Sequence, residues 1–343
     1  MQEEKLDAFV ITSPENRRYM SGFTGSSAML VITLEKAYLL TDFRYIQQAT
    51  AQAPEFQIVK VGAEMYSSLA ELGQKAGRVG FEEEVLTYAD YAKLKGALPL
   101  AELVPQSKTV TDLRSVKGLE ELELIRQAVK IADDAFAHIL KYIELGQTEE
   151  EISREMEFEM RRAGASGGSF DFIVASGVRS SMPHGVASTK KVQSGELLTM
   201  DFGAIYQGYC SDITRTICLG EPTEKQRDIY EIVLQAQRAG IEAIKPGIPG
   251  KAVDAVARKI IADAGYGDYF GHGLGHSVGL AIHESPRLSL REEQILEPGM
   301  VVTIEPGIYL PDWGGVRIED MAVVTENGCE VLTQAPKEFI IIE

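Results

Sequence analysis

The sequence predicts an α/β protein of two domains. Three observations carry this. The chain has 343 residues, and a typical domain has roughly 100–200. Its first ~110 residues alternate short β-rich runs with helical ones, the mark of a layered α/β unit. The remainder opens on a long amphipathic stretch and carries two strand pairs that resemble each other. Hydrophobic residues at 45% and charged residues at 25% are the proportions of an ordinary globular chain. A chain of this length buries its cores without staples.

The start, MQEEKLDAFVIT, is acidic before it is apolar, the reverse of a secretory signal. No apolar run nears the ~20 residues of a spanning helix. Strands are expected over 7–12, 28–33, 37–40 and 56–61, and helices over 43–52 and 66–76. None of the five histidines falls in this region, so a hydrolytic centre is not expected wholly within it. The boundary is placed near residue 112, giving domains 1–112 and 113–343. Residues 113–146 read as one helical connector, with apolar Leu122, Ile125, Val129, Ala132 and Phe136 on a helical period. Thr148 and Glu151 then form a T-x-x-E capping box that opens another helix.

Charge and cysteines exclude several classes. Lys and Arg number 34 against 51 Asp and Glu, a net charge of −17. That balance opposes a nucleic-acid partner, which needs a basic face, and docking on anionic membrane lipid. Cys210, Cys218 and Cys329 form no C-x-x-C, and an odd count leaves a free thiol. A reducing compartment follows, and a cytoplasmic protein is expected. No serine triad and no phosphate loop is expected.

The two similar segments span 197–220 and 301–325. Each runs apolar, then a carboxylate, then a glycine-bearing turn, then a β-rich return with a second carboxylate. The shared Gly203-Ala-Ile-Tyr206 and Gly307-Ile-Tyr309 hint at duplication. Asp201 and Asp212 are equidistant from the Tyr206–Gln207 bond; Glu305 and Glu319 are equidistant from Asp312. Hairpins folded at those points set each pair across the ladder, with Cβ atoms about 5 Å apart. Like charges that close repel, and burial adds to the cost. A divalent cation compensates both. One such acid alone more often sits on a solvated face. Four, flanked by Met200, Phe202, Ile304 and Ile318, point to a buried functional cluster.

His272, His276 and His283 follow within one glycine-laced run. A lone histidine in an apolar strand is more often a hydrogen-bonded core residue, but three so spaced suggest a metal site. One histidine and four carboxylates suit two bridged ions. Oxygen-rich ligation favours hard ions such as Mn²⁺, with Co²⁺, Fe²⁺ or Zn²⁺ also compatible.

These residues resemble the pita-bread metallopeptidases, in their proline-peptidase branch of Xaa-Pro dipeptidase (prolidase) and aminopeptidase P. H-G-L-G-H-S-V-G-L-A-I-H-E over 272–284 fits the branch's signature. Asp201, Asp212, His276, Glu305 and Glu319 fall in the family's ligand order. N-R-R-Y-M-S-G-F-T-G-S over 16–26 and L-T-D-F-R-Y over 40–45 are similar to the family's N-terminal domain. The likeness spans nearly the whole chain. It departs only in lacking most of a first helix expected before Leu6.

The resemblance implies a creatinase/prolidase-type α/β domain followed by a pita-bread α+β catalytic domain. Asp201 would bind one metal and His276 with Glu305 the other, while Asp212 and Glu319 bridge both. His184 and His283 would contact substrate at the scissile bond, with His272 in the substrate-binding set. Glu305 would carry the proton from the attacking water to the leaving nitrogen. Arg317 is either a partner that orients ligating carboxylates or a plain strand-face ion pair. Arg287, in H-E-S-P-R on the loop leaving the histidine strand, resembles the H-E-x-P-R of prolidases. Its planar fork suits a dipeptide's free carboxylate, the alternative being a solvated loop arginine.

The expected function is metal-dependent cleavage of the Xaa-Pro bond in dipeptides or short peptides. The alternative is an aminopeptidase P acting on longer chains. A methionine aminopeptidase shares the ligands but usually lacks the first domain and the His283-Glu284 ending. A metal-free creatinase-like hydrolase, or a non-catalytic binding protein, is at odds with five filled ligand positions. A homodimer is expected from the resemblance alone.

Overall fold

The computed structural model describes residues 1–62, 64–72 and 77–342. They divide into two units, Met1–Arg114 and the chain from Ser115 on. In the first, β1 (Ala8–Ile11), β2 (Ala28–Thr33), β3 (Ala37–Thr41), β4 (Gln57–Lys60), β5 (Arg78–Glu82) and β6 (Glu102–Gln106) form one sheet in the order β4-β3-β2-β1-β5-β6. The helices are α1 (Pro14–Ser21), α2 (Ile46–Gln52), α3 (Leu69–Leu72), α4 (Tyr88–Ala97) and α5 (Thr111–Ser115), the last spanning the division between units. The uninterrupted apolar AFVI of β1 follows from burial on both sheet faces. Ala8 and Val10 join one core, while Phe9 and Ile11 join the other. Ser13 caps α1, Pro14 opens it, and Gly22 ends it at φ 74°.

Two expected helices are shorter in the fold. The 43–52 helix begins only at Ile46, because the Asp42 carboxylate draws the Arg44 backbone N–H (3.0 Å) and guanidinium (2.8 Å) into a turn. Over 66–76 there is a 3₁₀ turn, Met65–Ser68, and then α3; residues 73–76 lie outside the described residues.

The second unit begins with α6 (Leu119–Tyr142) and α7 (Glu149–Arg162). It continues through β7 (Gly167–Gly168), β8 (Ile173–Ser176), β9 (Glu196–Phe202), β10 (Ala204–Tyr206), β11 (Tyr209–Cys210) and β12 (Ile213–Leu219). After α8 (Glu224–Ala243) and α9 (Gly250–Asp263) come β13 (Gly275–Ser277), β14 (Glu284–Leu288), β15 (Val301–Ile304), β16 (Gly307–Leu310), β17 (Gly314–Arg317), β18 (Asp320–Val324), β19 (Cys329–Val331) and β20 (Ile341–Ile342). The two main sheets run β20-β12-β9-β8 and β14-β13-β15-β18-β19. Thus two helices followed by three antiparallel strands occur twice, as α6-α7-β8-β9-β12 and as α8-α9-β13-β15-β18. Phe136, Ile152 and Met156 seal the first set against Leu198 and Met200; Ile229, Val233 and Val253 seal the second against Val302 and Ile304.

The 113–146 stretch is not one helix. Val116 bridges Met300, and the Lys117 N–H donates to Gly299 O at 2.9 Å, so these backbone groups serve tertiary pairing. α6 restarts after Gly118, whose N–H donates to Glu121 at 2.9 Å. The Thr148–Glu151 capping box forms, with bonds of 3.2 and 2.7 Å.

The carboxylate hairpins differ in outcome. The first turns on Gln207–Gly208, at φ 43° and 82°, one residue later than the sequence symmetry implies. Asp201 therefore faces Thr214, and Asp212 lies diagonally from it, not opposite. In the second, the pairs Ile304↔Asp320 and Gly307↔Arg317 bracket Glu305 and Glu319 symmetrically about Asp312, the register the sequence implies. No helix among the described residues is long and apolar enough to cross a membrane.

Candidate metal centre

Five side chains converge from the two main sheets on a cleft of about 1010 Å³. Asp201 lies near the end of β9, Asp212 immediately before β12, His276 within β13, Glu305 just past β15 and Glu319 just before β18. Strand β13 packs so closely against β15 that a Cβ on Gly275, next to His276, would stand 2.0 Å from Thr303 O, so glycine is required there.

His276 Nε2 lies 3.5 Å from Asp212 Oδ2 and 3.5 Å from Glu305 Oε1. Ligand atoms of Asp212, His276 and Glu319 all fall within 4.8 Å of one another. Thr303 braces the other side. Its hydroxyl accepts the His276 N–H at 3.0 Å and donates to Glu305 Oε1 at 3.4 Å.

Arg317 organises the opposite wall. Its Nη2 donates to Asp201 Oδ2 at 2.6 Å, Nη1 to Tyr309 Oη at 2.8 Å, and Nε to Thr214 Oγ1 at 3.0 Å. The Thr214 hydroxyl donates in turn to Glu319 Oε2 at 2.7 Å. Arg317 is thus buried and tied directly to one carboxylate, and through Thr214 to a second, rather than lying on a solvated strand face.

Asp201 and Glu319 are each held by one oxygen. The other oxygen of each, Asp201 Oδ1 and Glu319 Oε1, is buried without a hydrogen-bond partner. Buried oxygens left bare are costly unless something positive takes them. The residues present therefore fit a divalent cation.

The titration behaviour points the same way. Burial and then the Glu319 charge push Asp212 well above the usual carboxylate range, and burial with Glu305 does the same to Glu319. Burial lifts Glu305 to about 8 and lowers His276 to about 4. Burial thus opposes negative charge on Asp212, Glu305 and Glu319 and positive charge on His276; a bound cation would offset the first, and a neutral imidazole is the form that ligates.

The other sequence-predicted residues line the same cleft. The His272 ring is engaged elsewhere: its Nε2 pairs with Tyr309 Oη at 2.9 Å and its Nδ1 with Gly273 O at 2.8 Å. Burial lowers it to about 4. The His283 ring stands edge-on to His276, centroids 4.4 Å apart, and is exposed. His184 is exposed in a turn. Arg287 is exposed too, but on strand β14 opposite His276 rather than on a loop, because β14 pairs back onto β13.

Sequence reasoning missed Tyr309, Thr214 and Thr303. Tyr309 stood inside the shared Gly-Ile-Tyr, a signal read only as a repeat. It also missed that Gly164-Ala-Ser-Gly-Gly168 matches G-x-S-x-G. Ser166 nevertheless lies between α7 and β7, and its hydroxyl donates to Ile205 O at 3.2 Å, so the run forms no nucleophile elbow.

Metallopeptidase family M24 matches residues 123–326, and the Creatinase/Prolidase N-terminal domain matches residues 1–116. A curated Xaa-Pro dipeptidase from Pyrococcus furiosus is 42% identical over 342 residues, 99% of this chain and 97% of that one. The solved Xaa-Pro dipeptidase from Bacillus anthracis superposes with a TM-score of 0.97 at 48% identity, covering 99% of this chain and 96% of that one. The X-Pro aminopeptidase from Thermotoga maritima superposes with a TM-score of 0.92 at 38% identity, covering 100% of each chain.

Proposed function

The chain belongs to metallopeptidase family M24, and on that premise we propose that its cleft hydrolyses the bond before proline, with Xaa-Pro dipeptides as preferred substrates. The observation that carries the metal chemistry is the pair of bare buried oxygens, Asp201 Oδ1 and Glu319 Oε1, among five convergent ligand groups. The dipeptide preference draws on the Xaa-Pro dipeptidases among its relatives and on Arg287 beside His283.

Asp201 would hold one ion, His276 and Glu305 the other, with Asp212 and Glu319 shared. Bound there, divalent ions supply Lewis acidity to water and to the scissile carbonyl. Mn²⁺ suits this oxygen-rich set, and Co²⁺, Fe²⁺ and Zn²⁺ are admitted. Glu305 accepts the proton of the attacking water and passes it to the leaving proline nitrogen. That nitrogen belongs to a tertiary amide and must be protonated to leave. His184 and His283 face the substrate backbone around that bond. The Arg287 guanidinium receives the free carboxylate of a dipeptide. A homodimer in a cytoplasmic setting completes the reading.

His283→Ala tests the histidine assignment. Turnover is expected to fall by about 100-fold, the usual order for a lost proton-transfer or polarising group, with metal content unchanged. Loss of one metal equivalent would exchange the roles of His283 and His276.

Arg287→Ala tests the clamp. A charge-assisted carboxylate contact contributes about 1.5–3 kcal/mol, so KM for Xaa-Pro should rise ~10-fold or more. KM for Xaa-Pro-Yaa should barely move. Equal effects on both would favour the second reading, an aminopeptidase that releases the first residue of longer peptides. One feature speaks for that reading: the cleft shares Phe170, Asp171 and Val186 with a further groove of about 680 Å³ along α7.

A further inference from the structure

Glu149 is the first residue of α7 and is fully buried. A carboxylate out of water is costly unless donors surround it, and five hydrogen bonds do. Ser176 N and Oγ donate to Oε1 at 2.7 and 2.9 Å. Ser188 N and Oγ donate to Oε2 at 3.2 and 2.6 Å, and Arg179 Nε does so at 3.2 Å. Every one of these donors lies in the segment 176–188, which contains His184.

The same segment closes on itself and on the helix. Arg179 Nη2 donates to Val186 O at 2.6 Å. The first amides of α7 have no partner within the helix; here Glu149 N donates to Lys190 O at 3.0 Å and Glu150 N to Ser188 O at 3.1 Å. One carboxylate therefore gathers both ends of the loop. At the other side, Gly315 N donates to Ser180 Oγ at 2.8 Å and Arg317 Nη1 to Pro183 O at 3.3 Å. Among the described residues no hydrogen bond holds the His184 imidazole itself. Its place in the cleft depends on the loop, and the loop's base depends on Glu149.

We infer that Glu149 is a positioning residue, which sets the loop carrying His184 against the cleft and acts on turnover through that histidine. Glu149 is not among the residues lining the cleft, so it touches neither substrate nor metal ligand. The inference rests on the substrate contact proposed for His184.

A double-mutant cycle tests it on the full-length enzyme loaded with Mn²⁺, with an Xaa-Pro dipeptide as substrate. Glu149→Gln keeps the shape but turns one oxygen into an amide donor facing other donors. A misplacement of this kind costs about 10- to 100-fold in kcat, and bound Mn²⁺ should stay at the wild-type level. In a His184→Ala background the same change should cost less than ~2-fold, because two residues acting as one unit are not additive. Equal losses in both backgrounds would overturn the inference, since a merely structural role lowers both alike. Wild-type kcat in Glu149→Gln would overturn it as well. Wild-type activity in His184→Ala would instead refute the His184 contact and bring the inference down with it. Should Glu149→Gln fail to fold, Ser188→Ala removes one donor and should show the same non-additivity on a loss of about fivefold; additive losses there would reject the clamp.

Discussion

Asp212→Asn is expected to leave almost no turnover. The side chain keeps its size and stays in place before β12, yet it loses the charge that the cluster needs. Its Oδ2 is 3.5 Å from His276 Nε2, and its ligand oxygen falls within 4.8 Å of those of His276 and Glu319. In the proposed assignment Asp212 is shared between two cation positions, so its neutralisation weakens both at once. Losing several kcal/mol of charge stabilisation corresponds to about a thousandfold or more in rate. Chelator treatment of the wild type should reproduce the loss, and added Mn²⁺ or Co²⁺ should reverse it. The variant should show reduced bound metal by atomic absorption. Full activity in rigorously metal-free protein would end the metal-dependent reading.

Metal-free protein should lose stability as pH rises from about 6.5 to 8, while metal-loaded protein should not. Glu305 is held up at about 8 by burial, against 4.5 for an ordinary glutamate, and Asp212 and Glu319 are raised for the same cause. In this range the folded apo protein still carries protons that the unfolded chain has already released. The unfolded state binds fewer protons, so stability falls with pH. His272 and His276, lowered to about 4, act in the opposite sense, but only below their unfolded value of 6.5. The window from 6.5 to 8 therefore isolates the carboxylates. Each pH unit removes about 1.4 kcal/mol per group so affected. For Glu305 alone that is about 2 kcal/mol across the window, or roughly 3 °C in Tm at this chain length. Thermal melts of chelated and Mn²⁺-loaded protein over this range would show diverging curves; parallel ones would contradict the burial argument.

That Asp201, Asp212, His276, Glu305 and Glu319 would meet in one cleft was legible because metal chemistry, the use proposed for them, restricts residue type. Acids between apolar neighbours, and a histidine run laced with glycine, have few other uses. Position was harder to read than type. The Glu305–Glu319 register follows from simple counting about Asp312. The Asp201–Asp212 register does not, because the turn falls on Gln207–Gly208. Glycine as the second of two positive-φ residues was the available signal for that turn. Glu149 was hidden by its surroundings. In the run Glu149-Glu150-Glu151 all three acids suit a solvated first helical turn, and only tertiary folding separates the buried one. The break at Val116–Gly118 likewise comes from a partner near Met300, far along the chain. In the first unit β1, β2 and β3 announced themselves by β-branched and apolar residues. β5 and β6, reading RVGFE and ELVPQ, carry glycine, proline and charges that mask a strand.

The recurrence of two helices and three antiparallel strands bears on symmetry. The first set brings His184, Asp201 and Asp212; the second brings His276, His283, Glu305 and Glu319. His184 comes after β8 as His283 comes after β13, and Asp212 precedes β12 as Glu319 precedes β18. Neither set is sufficient alone. A chain carrying one set alone would assemble such a centre only between two identical copies, on a twofold axis, with every contributing group duplicated. A single chain holding both sets is free of that constraint. The unequal halves seen now, two aspartates facing a histidine and two glutamates, are a division of labour that a symmetric pair of identical chains could not have adopted.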